Sequence, residues 1–429
     1  MNIEEIYQIY LKYPSIQTDT RKLKNGDIYV ALKGEHFDGN RFAEDALKKG
    51  AAYAIIDNPA LADNPHFIYV ENCLGTLQKL ANFHRRQFDI PFIAITGSNG
   101  KTTTKELVNI VLSTSYRTYA TEGNLNNHIG IPLTLLKIKK DAQIAIIEMG
   151  ANHQQEIASY CQIAEPTHAL INNCGRAHLE GFGGIEGVRK GKGELYDYIK
   201  KTNGTIYINH DLDYLTELAK GIQHQISYGS QNAQYIGKVY QNNPFLKIAI
   251  LNSNNEILIH SHLVGEYNFP NIMAAVAIGR SFNISIEKIK EAIQNYTPDN
   301  SRSQLIQRGT NTIILDAYNA NPSSMSLAIQ NFAMTDYPNK TVIIGAMMEL
   351  GKSSIEEHQN IISLLEQYHW NQVILVGGDF KFVKHSFQFF ENIEAATFWF
   401  YQQKFAHQAF LIKGSRAFTM EKILNNPLI

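Results

Sequence analysis

Residues Gly97-Ser98-Asn99-Gly100-Lys101-Thr102-Thr103-Thr104-Lys105-Glu106 stand between an apolar run, Pro91-Phe92-Ile93-Ala94-Ile95, and a helical pattern from Leu107 to Leu112. A strand that turns through glycines into a helix start needs an open sheet edge with helices beside it, which is the geometry of an α/β fold. Gly97 and Gly100 permit a tight turn whose N–H groups point inward. The helix N-terminus adds partial positive charge, so the turn suits a triphosphate. Lys101 can then reach the β- and γ-phosphates, and a hydroxyl of Thr102 or Thr103 can ligate Mg²⁺. The general pattern G-x-x-x-x-G-K-S/T would need glycine at position 95, which is Ile95, so this loop is shorter, G-x-x-G-K-T-T.

A length of 429 residues predicts about three domains. Lys plus Arg is 39 and Asp plus Glu is 40, a net charge of −1, so no global basic field recruits nucleic acid or anionic lipid. Cys73, Cys161 and Cys174 are too scattered for a disulfide framework or a zinc site, which points to a reducing cytoplasm. The start, Met1-Asn2-Ile3-Glu4-Glu5, is acidic and unlike a signal peptide. No apolar run approaches the ~20 residues that span a bilayer, so no membrane insertion is expected.

Periodicity divides the chain into three blocks. Residues 1–85 read as a small α/β domain, with strands over 27–32 and 52–56, a helix over 41–49, and a turn-rich loop over 34–40. Residues 86–298 alternate strands (92–96, 143–147, 168–172, 205–209) with helices (101–115, 154–162, 185–201), the pattern of a parallel sheet with helices on both faces. Three antiparallel strands over 234–240, 244–251 and 256–263, with a turn over 252–255, and two helices over 269–281 and 285–295 complete that block. A linker over 298–301 leads to residues 299–429, whose strands over 312–315, 341–344, 372–376 and 410–413 and helices over 323–332 and 354–367 predict a doubly wound α/β domain. The predicted architecture is thus a central P-loop parallel-sheet ATPase domain flanked by two α/β domains.

Several residues fall where strands end, the edge at which open α/β sheets bind ligands. Glu148 ends one central strand and can hold Mg²⁺ or stand solvated. His178 follows another, in a glycine-rich stretch, and can serve a metal, a phosphate or neither. Asn124, Asn126 and Asn127 sit in a loop and suit a polar ligand or simple turns. In the third block, Asp316-Ala317-Tyr318-Asn319-Ala320-Asn321-Pro322 and Lys413-Gly414-Ser415-Arg416 end strands on one edge. Together they could grip a carboxylate or a phosphate. Charge pattern alone does not single out Lys192 within Arg189-Lys190-Gly191-Lys192.

Together these segments resemble the Mur ligases, ATP-dependent amide-forming enzymes of bacterial cell-wall precursor synthesis. Thr18-Asp19-Thr20-Arg21 and Gly26-Asp27-Ile28-Tyr29-Val30-Ala31-Leu32 are similar to the family's uridine-nucleotide-binding start. Residues 96–103 resemble its shortened phosphate loop, and Glu148-Met149-Gly150 and Ala177-His178-Leu179-Glu180 its magnesium segments. Lys192-Gly193-Glu194 resembles the segment whose lysine is carbamylated. The resemblance implies a nucleotide site of Gly97, Ser98, Asn99, Gly100, Lys101, Thr102, Thr103, Asn268, Asn271, Arg302 and Asp316. It implies catalytic roles for Lys101, Glu148, His178 and Lys192, and Mg²⁺ held by Thr102, Glu148, His178 and Lys192. Substrate would meet Thr18, Asp19, Thr20, Arg21, Asn124, Asn126, Asn127, Asn319, Asn321, Lys413, Ser415 and Arg416.

The third block resembles the branch that adds D-alanyl-D-alanine to UDP-N-acetylmuramoyl-tripeptide. The implied reaction passes through an acyl phosphate, in a monomer. Ala346 departs from the related Gly-Asp-Met-x-Glu-Leu-Gly segment, and Tyr267 replaces a usual histidine. Another Mur ligase, a folate polyglutamate ligase or a nucleotide-dependent scaffold without ligation are the alternatives, and no Asn-Lys-x-Asp guanine motif is present.

Overall fold

The computed structural model describes residues 1–252, 255–299 and 301–424. It is a mixed α/β protein with three principal sheets. The first is four-stranded, Ile16–Gln17, Ile28–Val30, Tyr53–Ile56 and Phe67–Tyr69 in that order, all parallel. The last is six-stranded, ordered Gln304–Arg308, Asn311–Asp316, Ala409–Lys413, Lys340–Gly345, Gln372–Val376 and Gln388–Phe390, with only the first strand antiparallel.

Between them lies a nine-stranded sheet. Phe92–Thr96 is flanked by Ile144–Glu148 and His168–Ile171, both parallel to it. The chain leaves Phe92–Thr96 for Thr118–Ala120 at one edge, returns to Ile144–Glu148, then crosses to His168–Ile171 on the other side. A crevice opens at such a reversal, beyond the carboxyl ends of the strands. Phe92–Thr96 and Ile144–Glu148 are buried at every position, as strands covered on both faces must be. Tyr235–Gln241, Lys247–Asn252 and Asn255–His260 extend this sheet as an antiparallel meander.

The helix Cys73–Arg85 joins the first sheet to the central one. Arg85 donates to Ala164 O (2.9 Å) and Glu165 O (2.8 Å), carbonyls that the end of helix Glu156–Ala164 leaves unpaired. Its guanidinium also lies 3.9 Å from the centre of the Phe92 ring, a cation–π contact. His84 donates from Nε2 to Ile138 O (2.8 Å) and accepts the Tyr7 hydroxyl at Nδ1 (3.0 Å). Two side chains of one helix thus seat the N-terminal block on the phosphate-loop block.

The expected strands and helices are present, with shifted ends. The turn-rich loop over 34–40 instead contains a small hairpin, Lys33–Gly34 against Phe37–Asp38. Phe37 stacks on Phe42 at 5.5 Å, which rewards the folded-back backbone. Strands too short for a periodic signal escaped sequence reading, among them Thr118–Ala120 and Phe67–Tyr69, and so did Gln304–Arg308. The linker residue Asn300, the turn residues Ser253 and Asn254, and residues 425–429 lie outside the described residues. Among the described residues no helix is long and apolar enough to cross a membrane.

His168 lies between Tyr207 and Phe282, and burial pushes its pKa from 6.5 down to about 4. Below pH 6.5 the unfolded chain therefore binds a proton that the folded chain refuses, so stability falls between pH 6.5 and 4. His168→Phe should flatten that decline in urea melts across this range. Identical acid slopes in the two proteins would contradict it.

Candidate functional site

The phosphate loop is held from below by the end of the next strand. Ser98 N donates to Asn173 O (2.9 Å), Asn99 N to Asn173 Oδ1 (3.0 Å) and Asn173 Nδ2 back to Asn99 O (3.1 Å). Asn172 Nδ2 donates to Thr104 Oγ1 (2.7 Å), which donates to Asn271 Oδ1 (3.0 Å), and Asn271 Nδ2 reaches Asn268 Oδ1 (2.9 Å). A Cβ on Gly100 would stand 2.5 Å from Asn271 Oδ1 and 2.9 Å from Asn172 Nδ2, at φ +79°. Only glycine fits there.

Lys101 Nζ donates to Gly97 O (2.6 Å) and Ser98 O (3.2 Å). Burial pushes its pKa down to about 8, with Glu148 opposing and Arg302 adding. Glu148 is buried at 1% exposure. Its Oε1 accepts from Thr102 Oγ1 (3.2 Å) and Asn126 Nδ2 (2.8 Å), while Oε2 is buried without a hydrogen-bond partner in the structure. A buried carboxylate oxygen left unpaired is costly, and with a threonine hydroxyl beside it the pair fits a hard divalent cation. Among the described residues no group of three or more His, Cys, Asp or Glu converges as a metal cluster, here or elsewhere.

The two other expected metal residues have different partners. His178, at φ +52° ahead of the short helix Leu179–Phe182, pairs through Nδ1 with Glu349 of the third block, which holds the Glu349 carboxyl below its usual range. Lys192 is buried on helix Ile185–Thr202 and donates to Ala151 O (3.0 Å). Burial, with the Lys101 charge adding, pushes its pKa down to about 7. Its neighbour Glu194 accepts Gln155 N (2.5 Å) and Ala158 N (3.0 Å) and so caps helix Glu156–Ala164.

The third block closes the crevice. Asp316 and Lys413 end adjacent parallel strands and pair at 2.5 Å. The Arg302 guanidinium lies 3.7 Å from the centre of the Tyr318 ring. Asn321 Nδ2 donates to Asn99 Oδ1 of the phosphate loop (2.8 Å), and Arg176 bridges to Ser323 (backbone N to Oγ, 2.8 Å) and to buried Glu357 (2.8 Å).

The cavity between these walls is about 760 Å³ and open to solvent on one side. Ser98 to Thr103, Asn124, Asn126, Asn127, Glu148, His178, Asn268, Asn271, Arg302, Asp316, Asn319, Asn321, Lys413 and Arg416 all line it. Gly97, Lys192 and Ser415 do not. Ser415 is buried, its N–H given to Ala346 O (3.1 Å). Thr18 to Arg21 also lie off the cavity, with Asp19 accepting a two-pronged bond from Arg21.

Residues 12–85 match the description "Mur ligase family, catalytic domain", residues 95–279 the "Mur ligase middle domain" and residues 301–416 the "Mur ligase, glutamate ligase domain". The UDP-N-acetylmuramoyl-tripeptide–D-alanyl-D-alanine ligase of Bacillus subtilis is 36% identical over 341 residues, 78% of this chain and 74% of that one. The chain belongs to the Mur ligase family. Among solved Mur ligases, a crystal structure of MurF from Acinetobacter baumannii superposes with a TM-score of 0.86 at 31% identity, covering 96% of this chain and 92% of that one. MurF from Thermotoga maritima, in complex with ADP, gives 0.87 at 25% identity, covering 97% of each.

Both departures from the Mur ligase patterns have local partners here. Ala346 is fully buried, and a Cβ on Gly378 would come within 2.4 Å of its own Cβ, so the space is filled. Tyr267 gives its hydroxyl to a bond with Ser303 Oγ (2.9 Å). Sequence reading assigned no role to Tyr160, Leu212 or Tyr214, which line the cavity. Tyr214 accepts Cys174 N (2.9 Å) from a helix outside every motif, so no sequence signal marks it. The Asn172-Asn173 pair had one: two amides at the end of the strand beside the phosphate loop.

Gly100→Ala should lower stability by about 1–3 kcal/mol and weaken nucleotide binding. Gly309, also at positive φ (+61°) but in open space, should tolerate Ala for about 1 kcal/mol with binding unchanged. Urea melts and nucleotide titrations of both variants check this, and equal nucleotide affinities would contradict it.

Proposed function

We propose that this chain joins D-alanyl-D-alanine to UDP-N-acetylmuramoyl-tripeptide, converting ATP to ADP and phosphate through an acyl phosphate. The observation that carries this reading is one cavity shared by the phosphate loop, the unpaired Glu148 oxygen and the Asp316–Lys413 face of the third block. The MurF likeness over almost the whole chain supports the substrates.

In this reading residues 1–85 hold the uridine nucleotide, with Thr18 to Arg21 at its phosphates or sugar. Residues 86–298 hold ATP, and residues 299–429 hold the dipeptide. The terminal carboxylate of the tripeptide attacks the γ-phosphate, two anions whose repulsion Lys101 and Arg302 offset. Mg²⁺ would add charge neutralisation, held by Thr102 and Glu148, with His178 and Lys192 nearby. The dipeptide amine then attacks the acyl carbon, phosphate leaves, and the amine loses a proton as the amide forms. Asn319, Asn321, Lys413 and Arg416 surround the incoming dipeptide, with Ser415 buried behind them, and Asn124, Asn126 and Asn127 surround the precursor peptide. Asn268 and Asn271 face the adenine side.

An acyl phosphate is lost to water unless the site is enclosed. The contacts Asn99–Asn321, Arg176–Glu357 and His178–Glu349 support enclosure by the third block. The lowered pKa of Lys192 supports a neutral amine, the form that takes up carbon dioxide as a carbamate. Three free cysteines support a reducing cytoplasm, and we take the working unit to be a monomer.

Phosphate release should require both the tripeptide precursor and D-alanyl-D-alanine, and release with glutamate as the only amine would redirect the reading. Lys101→Ala should keep its circular dichroism spectrum and lose turnover by on the order of 10³-fold; wild-type rates would remove Lys101 from the phosphate site. Lys192→Ala should be crippled and partly restored by a small carboxylic acid, whereas full activity without it would dismiss the carbamate.

A further inference from the structure

Lys105 is a buried lysine that the reaction does not use. It lies on the helix Lys101–Ser113 and is 2% exposed. An ammonium in such a place is costly unless its donors are satisfied. Its Nζ donates to Thr121 O (2.6 Å) and to Glu106 Oε1 (2.6 Å). Thr121 is itself buried, and its Oγ1 accepts the backbone N–H of Glu148 (3.0 Å). The same residue opens the segment that carries Asn126, whose amide donates to Glu148 Oε1.

Thr102, one turn before Lys105, belongs to the helix, whereas Glu148 belongs to the neighbouring strand. Their 3.2 Å contact depends on how that helix sits against that strand end. We propose that Lys105 is a positioning residue for the cation site: through Thr121 it sets the separation of Thr102 and Glu148. This rests on the cation role given to those two residues above. An apolar side chain at 105 would fill the space but release the Thr121 carbonyl, and the Glu148 backbone would lose its fixed neighbour. Residues behind a metal ligand commonly govern its affinity in this way.

ADP binding by calorimetry, in Mg²⁺ and in EDTA, tests it. Lys105→Met should lose about tenfold of the Mg²⁺-dependent gain in affinity while binding in EDTA stays within about twofold. In nucleotide-free and metal-free protein, amide hydrogen exchange at Glu148 should be faster than in wild type. Thr121→Val should shift both readouts the same way, and the double variant should lose no more than either single one. A folded Lys105→Met with the wild-type Mg²⁺ gain and wild-type exchange at Glu148 overturns the proposal. Should Lys105→Met fail to fold, Thr121→Val decides by the same two readouts. Glu148→Gln separates the two layers: if it keeps the Mg²⁺ gain, the cation reading falls and this proposal with it. If it loses the gain while Lys105→Met and Thr121→Val keep it, only the positioning role falls.

Discussion

The clasp between the phosphate loop and the Asn172-Asn173 strand end is the contact on which the remaining geometry rests. Backbone N–H groups that must face a polyphosphate cannot also be spent on regular secondary structure, so the loop needs other groups to fix its shape. Asn173 supplies them on one side and Asn172, through Thr104 and Asn271, on the other. The parallel pairing of Phe92–Thr96 with His168–Ile171 brings the two strand ends to the same level. A lost amide there would leave buried donors unpaired as well as loosening a turn.

From that clasp the site grows in two directions. Toward Ile144–Glu148 it reaches a carboxylate with one satisfied and one unsatisfied oxygen. Toward the third block it reaches Asn321, Arg302 and the Asp316–Lys413 pair. Of the cations of the cavity, Lys101, Arg302, Lys413 and Arg416, Lys413 is paired with Asp316 and Arg416 with Glu421 (2.7 Å), and Lys101 and Arg302 have no carboxylate in such a pair. Meanwhile the N-terminal block is fixed to the central one by buried, hydrogen-bonded side chains of one helix, His84 and Arg85, a different kind of junction from the polar bridges to the third block.

Much of the architecture was readable because long buried strands and glycine-marked turns leave strong local signals. The strand Phe92–Thr96, the helix Lys101–Ser113 and the strand Gln372–Val376 follow from apolar runs and their breaks. The hairpin at 33–38 and the edge strand Thr118–Ala120 did not, because two or three residues carry no period and pair only through their neighbours. Among site residues, those next to glycine or at a strand end could be named. Tyr214 and Tyr160 could not, since an aromatic on a helix reads as core until the facing cavity is known.

By itself the amino-acid sequence determined that residues 97–103 turn through glycines from a strand into a helix start, since glycine spacing and helix polarity are local properties. It also determined which strand ends would carry Glu148, Asp316 and Lys413. Only the tertiary structure decided that Glu148 would keep one oxygen unpaired, that His178 would face Glu349, and that Lys192 and Lys105 would be buried while Lys190 was not. Those outcomes depend on which elements pack over a side chain, and burial and partnership across distant segments are set by three-dimensional contact rather than by spacing along the chain.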